Sequence, residues 1–257
     1  MADDQQPLVP RAEDVFGAVI DPMESRPASP LPRFDSPTHG FRSTFDQELG
    51  AIKDSVLRMA SLVEAQIRAA MDALVRHDAD AALQVIKDDA GINEVMRAVT
   101  AQVTAVIATQ APVARDLRFL LTLDHVAYEL ERMGDHAGSV AKQARKMAPY
   151  PPLKRYVDLP ELGETVARQV HGIIRALVDV DHDAARRVAA GDDDVDHLYH
   201  RIFDDVLELM RADPENVDRG ARILFAAHYL ERIGDRVTNI AEDIVFLASG
   251  DVEDLNP

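Results

Sequence analysis

Glu131 and Asp135 stand four residues apart, and Glu231 and Asp235 repeat the pair 100 residues later. Residues 127–135 (AYELERMGD) match 227–235 (AHYLERIGD) without a gap at Ala, Leu, Glu, Arg, Gly and Asp. On a helix, residues four apart lie on nearly one face, so each pair sets two carboxylates side by side. Like charges so placed repel. If the face looks inward, the repulsion and the desolvation call for a bound cation, a proton or an arginine. Gly134 and Gly234, each directly before its Asp, open the backbone to close approach, at about 1 kcal/mol of helix propensity. Under the alternative of simple inherited duplication, Arg132 and Arg232 would serve as local ion-pair partners. In a chain with 45 Asp and Glu, one such pair is a solvated face; its return in the same register, with the glycine again, sets these two apart.

A second repeat, offset by 103, adds further acids. Asp78-x-Asp80-Ala81-Ala82-x-x-Val85-x-x-x-Asp89-x-x-Ile92-Asn93 aligns with Asp181-x-Asp183-Ala184-Ala185-x-x-Val188-x-x-x-Asp192-x-x-Val195-Asp196. Asp89 and Asp192 both stand where an apolar residue of the stripe is due. The candidate constellation is Glu131, Asp135, Asp89 and Asn93 in one half, and Glu231, Asp235, Asp192 and Asp196 in the other. Asn239 continues the second motif by one more turn, whereas Ser139 holds that place in the first, which makes the two sites chemically unequal. All are hard oxygen donors suited to Mg²⁺, Mn²⁺, Ca²⁺ or iron. The Glu-x-x-His signature of di-iron bundles is missing, and His228, whose counterpart is Tyr128, reads as a packing or surface residue. There is no Gly-rich phosphate loop, no G-x-S-x-G and no HExxH, so catalysis is not expected.

The elements that position these acids follow from the period. Phe45, Leu49, Ile52, Val56, Met59, Val63, Ile67, Ala70 and Leu74 step by threes and fours, the stripe of a long amphipathic helix ending near His77. Asp78 caps a second helix through Val85, Ile92, Met96, Val99, Val103 and Val106. Pro112 at a first helical position opens a third, which runs to about Met147, where Pro149, Pro151 and Pro152 stop it. The second half repeats the plan. A shorter fourth helix carries Val170, Ile174, Leu177 and Val178, and Asp181 caps a fifth that carries Val188, Val195, Tyr199, Ile202, Val206 and Leu209. Asp213-Pro214 opens a sixth that ends near Ala248, before Gly250. The expected fold is all-α: two tandem pseudo-symmetric three-helix bundles, six helices, spanning 42–150 and 151–250. Residues 1–41 hold seven of the fourteen prolines and no sustained period, and read as a disordered tail; 251–257 form a short C-terminal tail. The apolar patch Val15, Phe16, Val19 and Ile20 within the tail reads as a partner-binding motif or, more plainly, as a transient helical turn.

A net charge of −17 argues against nucleic acid or anionic lipid as the main partner. Zero Cys excludes disulfides and thiolate sites and suits a reducing compartment. No apolar run reaches the ~18 residues of a membrane span, and the N-terminus lacks the regions of a secretion signal. A soluble intracellular protein without direct membrane insertion is expected.

E-R-[MI]-G-D in the third helix of each half, with the run Gln110-Ala111-Pro112-Val113-Ala114-Arg115-Asp116-Leu117-Arg118, resembles the PhoU family of bacterial phosphate-transport accessory and regulatory proteins over about 44–250. The resemblance implies a cytoplasmic homodimer, peripheral at the inner membrane face through its partners, that negatively regulates phosphate uptake and the phosphate-starvation response. It implies as partners the ATPase subunit of the phosphate ABC transporter and a PhoR-type sensor histidine kinase. It also implies multinuclear or divalent metal, iron, manganese, magnesium or zinc, at the Glu/Asp-x-x-x-Asp motifs, here Glu131 and Asp135, and Glu231, Asp235 and Asn239. A helical adaptor for another transporter, acting without metal, is the alternative.

Overall fold

A computed structural model describes residues 38–250 and 253–255; the Val15–Ile20 patch lies outside the described residues. Seven α-helices follow in chain order: α1 (Thr38–Arg76), α2 (Ala79–Gln110), α3 (Ala114–Met147), α4 (Asp158–Asp179), α5 (His182–Ala189), α6 (Asp192–Ala212) and α7 (Val217–Ser249). No strand occurs among the described residues. The first three helices pack on one another, as do α4 to α7, with α5 and α6 together taking the middle place. The chain is therefore two tandem three-helix bundles, as the period requires.

The stripe on α1 is buried at Phe45, Ile52, Val56, Met59, Val63, Ile67, Ala70 and Leu74, while Leu49 is half-buried against the same core. Asp78 caps α2 by accepting from the backbone N–H of Asp80 (3.1 Å) and Ala81 (2.9 Å). Asp181 does the same for α5 through Ala184 N–H at 2.9 Å. After α7, Gly250 takes the left-handed conformation that closes a helix, with φ 83°.

Four boundaries differ from those expected. The first helix begins at Thr38, four residues inside the stretch assigned to the tail. Pro112 precedes α3 by two residues instead of opening it, and Val113 is its N-cap without a side-chain bond. Asp213 caps a short 3-10 turn, Pro214–Asn216, that leads into α7. The fifth helix is divided into α5 and α6. At the break the Gly191 N–H donates to Val188 O at 3.0 Å, tightening the turn. A Cβ on residue 191 would lie 3.1 Å from Val188 O and 3.3 Å from Gln169 Nε2 on α4. Asp192, Asp193 and Asp194 then fill the first turn of α6, where acids favour a new helix N-terminus. The first half has Lys87 and Asp88 at the places of Ala190 and Gly191, and α2 continues unbroken.

The two bundles meet along α3 against α7 and α1 against α4. Glu129 faces Arg236 (3.5 Å) and His125 faces Asp243 (2.5 Å), while His136 stacks on Tyr229 (ring centroids 6.1 Å). Partners on α7 fall in number as those on α3 rise, so the central helices run antiparallel. Small buried residues, Ala127, Gly134, Ala137 and Ala141 on α3 and Ala226, Ala227, Gly234 and Ala241 on α7, let neighbouring helices come close to this pair. On the other seam Arg68 pairs with Glu164 (3.1 Å) and His171 lies 3.2 Å from Glu64.

Candidate metal centre

The glycine of each motif admits a neighbouring helix. A Cβ on residue 134 would lie 3.0 Å from Ile92 Cδ1 on α2 and 3.2 Å from Gln66 Oε1 on α1. A Cβ on residue 234 would lie 2.9 Å from Asp192 Oδ1 and 3.4 Å from Val195 Cγ1, both on α6. Both openings are filled by neighbouring helices, the first by Ile92 methyl groups and the Gln66 oxygen, the second by the Asp192 carboxylate and Val195.

In the first half, Asp89 is half-buried and accepts from Gln66 Nε2 (3.2 Å to Oδ1) and from Asn93 Nδ2 (3.3 Å to Oδ2). Burial, then Asp135 and Asp89, hold the Glu131 carboxyl above its usual range. Burial and Asp89 do the same to Asp135, against the opposing pull of Lys142. Asp89 acts on both carboxyls across the α2–α3 contact, with Glu131 half-buried and Asp135 exposed. Ser139 turns its hydroxyl to its own helix, donating to the Asp135 carbonyl at 3.0 Å.

In the second half, Asp192 is buried, and its carboxyl is pushed up to about 6 by desolvation, then by Asp196, Asp235 and Glu231. Burial and Glu231 raise Asp235, while Arg232 and Arg236 lower it. Arg232 grips both Glu231 oxygens, at 2.9 and 2.8 Å, and lies 3.0 Å from Asp235 Oδ2. His228 Nδ1 is 3.4 Å from Glu231 and the ring is half-exposed, next to Tyr199 and Tyr229. Asn239 points elsewhere: its Nδ2 donates to Glu129 at 3.4 Å, on the seam between the bundles.

Among the described residues, no three His, Asp or Glu side chains are already gathered as a ready-made metal cage. The donors nevertheless suit a hard cation in kind. They are all oxygen, they raise one another's pKa, and buried amide oxygens of Gln66 and Gln169 stand beside them without a hydrogen-bond partner. The sequence reading missed these two glutamines. The signal was available, because the 103-residue offset that relates Asp89 to Asp192 also relates Gln66 to Gln169.

Comparison with known proteins agrees with the doubling. A family model described as PhoU domain matches twice, over residues 56–144 and 159–244. The chain is 36% identical over 216 residues to a Clostridium acetobutylicum protein named phosphate-specific transport system accessory protein PhoU homolog, covering 84% of this chain and 99% of that one. A Pseudomonas aeruginosa protein of the same name is 34% identical over 217 residues, covering 84% and 90%. The crystal structure of PhoU from Pseudomonas aeruginosa superposes with TM-score 0.77 at 33% identity, over 80% of this chain and all of that one. A Streptococcus pneumoniae structure described as the phosphate transport system regulatory protein PhoU gives 0.75 at 27%, over 82% and 99%.

Proposed function

The chain belongs to the PhoU family, and on that premise we propose that it is a non-enzymatic accessory protein of phosphate transport that restrains phosphate uptake and the phosphate-starvation response. In this reading its partners are the ATPase subunit of the phosphate ABC transporter and a sensor histidine kinase, and it acts as a homodimer on the cytoplasmic side of the membrane. No helix among the described residues is long and apolar enough to cross a membrane, which fits attachment through partners.

The observation that carries the metal-binding part is the mutual repulsion of the acids. Asp192 enters the notch at Gly234, and desolvation followed by Asp196, Asp235 and Glu231 pushes its carboxyl up to about 6. Glu131, Asp135 and Asp89 are the matching set, with Asn93 beside them. A bound cation would supply the positive charge that lets each set ionise together. The chain's own part is to hold the acids on stiff helices and thereby present one docking face to partners.

Metal analysis of native protein beside Asp135→Asn/Asp235→Asn tests this reading, with loss of bound metal expected in the variant. Equal metal in the two preparations excludes these acids as ligands. Transcription of phosphate-starvation genes in a deletion strain tests the regulatory role, and constitutive expression is the expected result. The metal-free adaptor keeps one specific observation in its favour, because Arg232 already neutralises part of the second acidic set. Melting with and without chelator separates the two, since a ligand selective for the folded state stabilises it by mass action.

A further inference from the structure

Gln66 and Gln169 occupy equivalent places in the two halves, on α1 and α4. Both are more than nine-tenths buried, at 6% and 9% exposure, and in both Oε1 is shut off from solvent without a hydrogen-bond partner. An unsatisfied buried carbonyl oxygen costs about 1–3 kcal/mol. The same omission at the same place in both repeats asks for a reason.

The surroundings fix how the first amide lies. Gln66 Nε2 donates to Asp89 Oδ1 (3.2 Å) and Val85 O (3.4 Å), so two acceptors take the nitrogen end and the oxygen is left facing α3. There it lies 3.2 Å from the point a Cβ on residue 134 would occupy. Gln169 Oε1 lies 3.9 Å from the same point on residue 234, which Asp192 Oδ1 approaches to 2.9 Å. Gln66 Oε1 thus lies over the Gly134 notch of α3 while its Nε2 meets Asp89, and Gln169 Oε1 lies near the Gly234 notch of α7 that Asp192 enters.

We propose that Gln66 Oε1 and Gln169 Oε1 are ligands for a hard divalent cation, one in each half. The proposal rests on the metal-binding reading above and extends it to the first helix of each bundle. An amide oxygen is a hard donor that brings no charge, so it completes a shell without adding to the repulsion among the acids. Each ion is then held by all three helices of its bundle: Gln66, Asp89 and the Glu131/Asp135 pair in one, Gln169, Asp192 and the Glu231/Asp235 pair in the other.

The competing role is positional, with the amide N–H of Gln66 steering the Asp89 carboxylate. Gln→Met removes the oxygen at similar volume, whereas Gln→Glu keeps an oxygen but removes the N–H donor. The test is Mn²⁺ titration of metal-stripped, full-length protein by calorimetry. Position 66 is varied in the Asp235→Asn background and position 169 in the Asp135→Asn background, so that one site is read at a time. The expected result is that Gln66→Met and Gln169→Met weaken Mn²⁺ binding by roughly tenfold or more, while Gln66→Glu and Gln169→Glu match or exceed the parent. Unchanged binding in the Met variants overturns the proposal, as do Glu variants as weak as the Met ones. Failure of the wild type to bind Mn²⁺ overturns the metal reading itself, and the proposal with it. If a Met variant lacks a melting transition in chelator, its Glu counterpart decides: binding at parental strength or tighter supports the ligand role, and weaker binding overturns it.

Discussion

Asp192 sits in the notch left by Gly234, its Oδ1 2.9 Å from where a Cβ would stand. The glycine is therefore a fitting surface for a charged neighbour as well as a weak point in α7. Helix α6 can approach only because residue 234 has no side chain.

Gly234→Ala sets two terms against each other. Alanine improves helix propensity by about 1 kcal/mol, while the clash with Asp192 and Val195 costs about 1–3 kcal/mol. A net loss of up to about 2 kcal/mol is expected in urea unfolding of the metal-free protein. In the Asp192→Ala background the same substitution becomes neutral or stabilising, and equal effects in the two backgrounds would exclude the contact as the cause.

Arg232 is the internal competitor of any cation in the second half, since it holds Glu231 and Asp235 together. Arg232→Gln is expected to tighten Mn²⁺ binding there by about twofold to fivefold, the range of a partly exposed ion pair. The first half, titrated in the Asp235→Asn background, is expected not to change.

His125 gives the metal-free protein a pH dependence on the α3–α7 seam. The Asp243 carboxylate, and behind it Glu129, hold its imidazolium above the usual range, against burial and the like charge of Arg132. A group whose folded pKa is raised adds stability in full below its unfolded value of about 6.5 and loses it as pH climbs through the folded value. Unfolding free energy should therefore fall from pH 6 toward pH 8 by less than about 1 kcal/mol, because the ring is half-exposed. His125→Gln should flatten that slope, and an unchanged slope would assign it to another group.

Glu129 is buried and depends on Arg236 (3.5 Å), Asn239 and His125 for compensation. Arg236→Met removes the strongest of these charges and is expected to destabilise by about 1–3 kcal/mol in thermal or urea unfolding. Adding Glu129→Gln should recover most of the loss. If the double variant is no better than the single one, the pair does not act as a pair.

The helical plan was legible because caps and period agree over long stretches. Asp78, Asp181 and Gly250 end or begin helices where local chemistry says they must. The acids were legible because the motif is doubled. The break at Gly191 was not, since its cause is partly tertiary: α4 comes close enough for Gln169 to lie against it. Asn239 continues the motif by spacing, yet its side chain goes to Glu129, a residue 110 positions away that no local pattern points to. Gln66 and Gln169 escaped notice because glutamine in an amphipathic helix reads as surface; only the offset, tested on the first helices as well, would have exposed them.

The middle of the seam between α3 and α7 is unlike on its two sides. Glu129 and Arg236 meet on one, while their counterparts in the repeat, Tyr229 and His136, stack as rings on the other. Two identical subunits joined across a true axis would be obliged to show the same groups twice. Tethering both copies in one polypeptide lifts that obligation, so each side has been free to change by itself.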